Sequence, residues 1–473
     1  MSARDSWRRY WSGPGGAGEV LGLAYPLILS QMSFTVQVFV DRLFLTWYSR
    51  EAVAGAVMAL IATWSVIGVF LGTGEYLTTF VAQYFGAGRR ERIGPVVWQG
   101  VYFSMAAGLL VAALSPLAGP VFARTGHEPA VRAYESEYAR ILLIGAFPIV
   151  LMATLSTFFA GRGRTKVVLW VNVLATLVNA TLDYLWIFGH AGFARSGVSG
   201  AAWATVTSQV VGSAVYLALM VRPKHRAEFR TLAARPEPRL LLRFLRFGLP
   251  SGLQYSLELL AFAIFLVIVG RIGTDALAAS GIAFNLNMIV FMPMLGLGVG
   301  VSSLVGRHLG AERPDLAERT TWSAFWMGLG YMSLCGAAYI LAPRLLLAPY
   351  AAGADPATFG PVGTITVVLL RFVALFSIFD TMNVVFASGL KGAGDTAYPL
   401  LASVALSWVV MLIPAYFLCV AGGGGVYTAW ATASVYVAVL GLLMLTRFRA
   451  GRWASLRVIE PRIAELEEEP AAV

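Results

Sequence analysis

The chain has 473 residues, of which 58% are hydrophobic and 13% charged, and its formal net charge is +10. Soluble globular chains carry about 25% charged residues, so this surface cannot be coated for water. A soluble enzyme, a nucleic-acid module and a secreted disulfide scaffold are excluded. The two cysteines, Cys335 and Cys419, lie inside apolar runs and read as packing residues.

A helix crossing ~30 Å of hydrocarbon needs about 20 mostly apolar residues. Runs of that kind are expected at 20–46, 53–81, 95–121, 138–159, 167–189 and 200–221, then at 247–270, 275–305, 321–342, 362–388, 398–420 and 427–446. Barrel strands are excluded, because their alternating segments span only about 10 residues. Arg4, Arg8 and Arg9 precede the first run, but it lacks a short core and cleavage site, so it reads as a retained first span. The expected fold is an all-α membrane protein of twelve transmembrane helices.

Basic residues cluster after even-numbered spans: Arg89, Arg90 and Arg92; Arg162, Arg164 and Lys166; the segment 222–246; and Arg447, Arg449, Arg452 and Arg457. The positive-inside rule then places these loops and both termini in the cytoplasm. The charged linker 222–246 separates an N-terminal lobe (1–221) from a C-terminal lobe (247–446), with a tail at 447–473.

The halves repeat. Pro26 precedes Pro250 by 224 residues, and "EAVAGAVMAL" from Glu51 precedes "DALAASGIAF" from Asp275 by the same offset. "VAQYFGAGRRER" from Val81 faces "VGRHLGAERPDL" from Val305, and "AWAT" from Ala202 returns at Ala429. Six-helix parallel repeats imply two lobes about an axis along the membrane normal, with sites near the midplane.

An ionisable side chain at a helix centre costs roughly 2.5–3.5 kcal/mol on insertion scales, so each one is a candidate. Asp41, Glu75, Asp183, Glu258 and Asp380 fall inside spans, as do Arg42 and Arg371. Asp41 either pairs with Arg42 at the interface or faces a cleft; adjacent helical residues do not face each other. Asn179 and Asp183, four apart, share a helical face and suit Na+ or a proton. Gln254 stands one turn before Glu258, and Asn383 follows Asp380. Glu75, Gln254, Asn285, Met288 and Asn383 are candidates for a substrate cavity. The four histidines fall in loops or at span ends. Walker loops, CxxC motifs and a Ser/His/Asp order are lacking, so the chain is not read as an enzyme.

The ordered motifs "YPLILSQ", "VDRLFL", "VAQYFGAGRRER", "GRGRTK", "VNVLATLVNATLDYLWIFG" and "SGAAWATV", with "GLPSGLQYSLE", "GRIGTDALAASGIA" and "LKGAGDT" in the second half, resemble the bacterial branch of the multidrug and toxic compound extrusion family. The resemblance implies two six-helix lobes, related by a pseudo-two-fold axis, around a cavity that opens outward or inward. It implies export of lipophilic organic cations in exchange for Na+ or H+, by a multi-pass monomer in the bacterial inner membrane, without resident cofactor or nucleic acid. Asp41, Asn179 and Asp183 match the family's first-lobe cation site, with Thr205 as its hydroxyl, and Glu258 and Asp380 match a second-lobe acidic pair. Arg42 stands where a small polar residue is usual, and Phe376 where related branches carry tyrosine. A flippase for lipid-linked oligosaccharide is the alternative, although its cavity would need more basic residues.

Overall fold

The computed structural model describes residues 11–352 and 356–461. The basic cluster Arg4, Arg8 and Arg9 and the acidic run Glu465 to Glu469 lie outside the described residues.

Among the described residues, eleven helices are long and apolar enough to cross a membrane: Ala17–Tyr48, Arg50–Gly86, Arg90–Phe122, Thr165–Phe188, Gly197–Met220, Pro238–Ile272, Thr274–Gly310, Pro314–Leu341, Phe359–Ala393, Ala397–Ala421 and Val426–Arg449. The pair Pro129–Ile144 and Ala146–Ala160, bent by 50°, supplies a twelfth. The bend falls at Gly145, where a β-carbon would lie 2.2 Å from the Val206 side chain of span six. Span two is interrupted at Tyr76, directly after Glu75. Span eleven contains two π-helical stretches, Ser407–Leu412 and Tyr416–Ala421, on either side of Pro414.

The span-seven helix starts at Pro238, well before residue 247 where apolarity begins. Arg239, Arg243 and Arg246 therefore ride on its first turns, with stems on protein and heads toward water. What remains of the linker folds as the short helix Pro223–Phe229, beneath which Arg162 stacks 3.7 Å from the Phe158 ring and 4.4 Å from that of Phe229.

The 224-residue repeat is legible in the seam between the lobes. A β-carbon on Gly86 would lie 1.9 Å from the Arg307 carbonyl oxygen, and one on Gly310 would lie 2.1 Å from the Gln83 carbonyl oxygen. The same offset relates Gly86 to Gly310 and Gln83 to Arg307, so the two contacts exchange under the pseudo-two-fold. Gly72 against Gly252 and Gly296 against Ile28 form a second exchanged pair. Small residues let helix backbones meet where lipid supplies no hydrophobic drive.

The cores show which end is closed. On the face carrying the loops after even-numbered spans, one cluster joins the lobes, with Leu23, Leu27, Tyr84 and Val97 packed in common with Leu297, Val301, Leu304 and Leu309. Toward the other face it divides: Leu45, Ala56, Tyr138 and Val198 form a core within the N-terminal lobe, and Phe265, Ala279, Leu370 and Trp430 one within the C-terminal lobe. The lobes are sealed at the even-loop face and part toward the odd-loop face.

Candidate functional site

The buried stripe of span five runs Val168, Val171, Ala175, Asn179, Asp183 and Ile187, at steps of three or four. It is an ordinary helical packing face with two polar residues set into it. On span one, Ser30, Gln37, Asp41 and Leu45 form a comparable stripe. Span six is small-faced, with Gly200 tight against the Trp186 backbone, and this draws Thr205 onto span five.

These stripes converge. Asp41, Asn179, Asp183 and Thr205 are all buried. With its amide oriented to satisfy both neighbours, Asn179 donates to Asp41 Oδ1 at 3.1 Å and to Asp183 Oδ2 at 3.2 Å. This assignment follows from the hydrogen-bond network. The amide's other end faces Thr205 Oγ1, 3.4 Å away, and Tyr138 of span four bonds to the same hydroxyl. The two carboxyl groups lie close enough to act directly on each other. Charge repulsion at contact is relieved only by a proton or a cation between them. Asp183 Oδ1 is buried without a partner, which leaves an oxygen free for such a ligand.

Arg42 lines the cavity beside Asp41 and acts on it as a charge at longer range. It is exposed, and no ion pair joins it to Asp41 among the described residues. Phe34, Gln37 and Trp64 line both a cavity of about 30 Å³ beside Asp41 and a larger one of about 210 Å³ in the middle of the protein. The smaller volume holds one or two waters, so it links the carboxylates to the central space. Glu75 faces the larger cavity, together with Asn172, Tyr255 and Met292.

In the second lobe, Gln254 donates to Glu258 at 2.8 Å, and Asp380 bonds to Asn383. The two acids act on each other electrostatically, yet each takes an amide from its own helix. Both Glu258 and Glu75 lie within Coulomb range of Lys391 on span ten. That lysine emerged from the sequence only as part of "LKGAGDT". Its signal is a rare basic residue near the end of an apolar run. Asn285 and Met288 are exposed and stand outside the 210 Å³ cavity, whose span-eight wall is Met292 and Leu295. Arg371 is exposed and reaches no acid among the described residues.

Sequence reasoning also missed Glu135. Span four starts at Pro129 rather than near 138, which brings Glu135 into the helix, fully buried and 2.7 Å from His127. Hydropathy hid this acid because its helix turn is polar. No group of three or more His, Cys, Asp or Glu side chains suited to a metal occurs among the described residues. The N-terminal cluster depends instead on two carboxyls, an amide and a hydroxyl.

Residues 26–185 and 250–444 match the family model described as MatE. A probable multidrug resistance protein NorM from Burkholderia pseudomallei (strain K96243) is 29% identical over 435 residues, covering 91% of this chain and 92% of that protein. A protein of the same description from Thermotoga maritima is 26% identical over 453 residues, covering 95% and 96%. A MOP superfamily transporter from Pyrococcus furiosus superposes with a TM-score of 0.84 at 20% identity, covering 94% of this chain and 98% of that one. A structure described as the outward-facing conformation of a multidrug resistance MATE family transporter gives 0.84 at 20% identity, covering 93% and 97%. At such identities the structural likeness is one of fold.

Proposed function

The chain belongs to the MatE family of membrane transporters, which are not enzymes, and from that premise we propose that it exports small lipophilic organic cations by antiport against a monovalent cation. The coupling ion is a proton or Na+ taken up at Asp41 and Asp183. The observation that carries this reading is the closeness of two buried carboxyls that form no ion pair with a basic residue among the described residues. An entering cation resolves their repulsion, and an exported organic cation competes for the same negative charge. A ligand shifts a conformational equilibrium only by its differential affinity for the two states, and that competition supplies the difference.

The positive-inside rule assigns the sealed even-loop face to the cytoplasm, so the state described here opens outward. The coupling ion then arrives from outside through the central cavity, past Phe34, Gln37 and Trp64. Asn179 sits against both carboxyls and Thr205. With its amide turned over, it would add an oxygen to those of Asp41, Asp183 and Thr205 for Na+, which prefers such hard ligands; as it stands, the amide nitrogen favours a shared proton. Glu75 offers a carboxylate to the exported cation, and the Trp64 and Tyr255 rings are flat faces of the kind that attract organic cations. Drug-sized ligands occupy pockets of about 300–1,000 Å³, so the 210 Å³ space must widen as the substrate enters.

The test is efflux of a fluorescent lipophilic cation from vesicles holding the purified protein, under an imposed proton or Na+ gradient. Acceleration by one gradient, lost in Asp41→Asn and Asp183→Asn, is the expected result. Efflux indifferent to both gradients in the unmodified protein would sink the exchange mechanism.

A further inference from the structure

The segment after span twelve belongs to the C-terminal lobe by chain connection, yet its end lies on the N-terminal lobe. Gly451, at φ +73°, turns the chain back, and Trp453 stacks on Phe448 with ring centres 4.6 Å apart. Val458 is fully buried against Gly394, and its N–H donates to Gln83 Oε1 of span two at 2.9 Å. Glu460 then meets three N-terminal side chains. Tyr84 donates to Oε2 at 2.6 Å, Arg89 donates to Oε1 at 2.8 Å and to the Glu460 carbonyl at 2.6 Å, and the Arg92 guanidinium is 3.3 Å from Oε1.

We infer that this segment is a cross-lobe latch: Glu460 grips Tyr84, Arg89 and Arg92 to hold the even-loop face shut, and must release whenever the protein opens there. The inference rests on the alternating-access reading above. Burial works against a charged Glu460, but the hydrogen bond from Tyr84 and the two arginines hold its carboxyl below the ordinary glutamate range.

Of the three arginines of "RRER", Arg89 and Arg92 share Glu460. Arg90 pairs with Glu228 at 2.7 Å and Arg92 with Glu237 at 2.9 Å, both from the linker. Only Glu460 comes from beyond the second lobe. When the latch lets go, Arg92 keeps Glu237 while Arg89 gives up its ion pair, so one of the two arginines is left without a carboxylate and opening carries a cost. The glycine seam at Gly86 and Gly310 lies directly beneath, so separating it and peeling the latch are one motion. Glu460 is in this sense a positioning residue, remote from both carboxylate clusters.

The test uses full-length protein in lipid, with Cys335→Ala and Cys419→Ala as background and spin labels at Glu91→Cys and Glu318→Cys, which are exposed on opposite lobes of this face. The background should give one short distance. Glu460→Gln should add a longer one and raise the open population about tenfold, the factor that corresponds to ~1.4 kcal/mol. Arg89→Gln should act in the same direction, and the Arg89→Gln/Glu460→Gln pair should fall short of the sum, as for residues in one network. A chain ending at Leu456 should open at least as far. If that chain does not insert, Glu460→Gln decides, since it leaves Trp453 and Val458 in place. Identical distance distributions in the background, Glu460→Gln and Arg89→Gln would overturn the latch. Gradient-independent efflux by the unmodified protein would overturn the exchange reading while leaving the distances intact.

Discussion

In the N-terminal lobe, Asp41 lies against Asp183, with Asn179 and Thr205 beside them and no ion pair to a basic residue among the described residues. At the repeat-related place in the C-terminal lobe stand Phe265, 224 residues after Asp41, and Thr432, 227 residues after Thr205. There Phe284 stacks on Trp430 with ring centres 4.6 Å apart, and the Trp430 indole donates to Ser280 at 2.9 Å. Span eleven, the counterpart of span five, carries no carboxylate or amide between Ala397 and Ala421. The acids of the second lobe, Glu258 and Asp380, sit on spans seven and ten, and Lys391 acts on Glu258 and Glu75. One duplicated scaffold thus holds two electrostatic arrangements. The first lobe brings two buried carboxyls together with only the exposed Arg42 acting on them from a distance; the second places a lysine within Coulomb range of Glu258.

The comparison breaks most readily at the first-lobe pair. Asp183→Asn should lower gradient-driven efflux by roughly one to two orders of magnitude, in keeping with ~1.5–3 kcal/mol for a hydrogen bond to a charged group. Vesicle efflux under the effective gradient checks it, and full activity would show that the pair is not the coupling site. Next in size is the seam. Gly86→Val puts side-chain carbon where the Arg307 carbonyl stands, so the closed state should be lost and the spin-label distance across the even-loop face should lengthen, with smaller movement for Gly88→Ala on the open surface.

The second lobe should respond differently. Glu258→Gln alone leaves Lys391 with less compensation and should reduce efflux by about fivefold to tenfold, as expected for ~1 kcal/mol. Adding Lys391→Met should return part of that loss, because it removes the positive charge that Glu258 no longer offsets. A double variant no better than Glu258→Gln would separate Lys391 from the acids. Smallest of all, Arg42→Gln and Arg371→Gln should change efflux by less than about twofold, since both charges are exposed and form no ion pair among the described residues.

The membrane class, the twelve spans and the repeat were all readable from apolar run length and a constant offset, because lipid imposes a span length whatever the packing. Asn179 and Asp183 were readable as a pair, because four residues of helix bring side chains to one face. Thr205 depended on family resemblance, and Tyr138 was not found, because each reaches the cluster from another helix. Glu135 was missed for a different reason: a helix that starts outside the hydrocarbon has no hydropathy signal at its first turns. Met292 lines the 210 Å³ cavity and Met288, one turn away, does not, because helical spacing names a face without saying what that face meets.

By itself the sequence determined that charge must be buried in this protein, how many helices bury it, and that the chain is doubled; these follow from solvent transfer and helical period, which are local. Which charges meet was decided only by tertiary structure. The Asp41–Asp183 contact, the Lys391 neighbourhood, the seal at one face and the reach of Glu460 across it depend on helices distant in the chain approaching through glycine-backed crossings, and distances between helices are not written in the periodicity of any one of them.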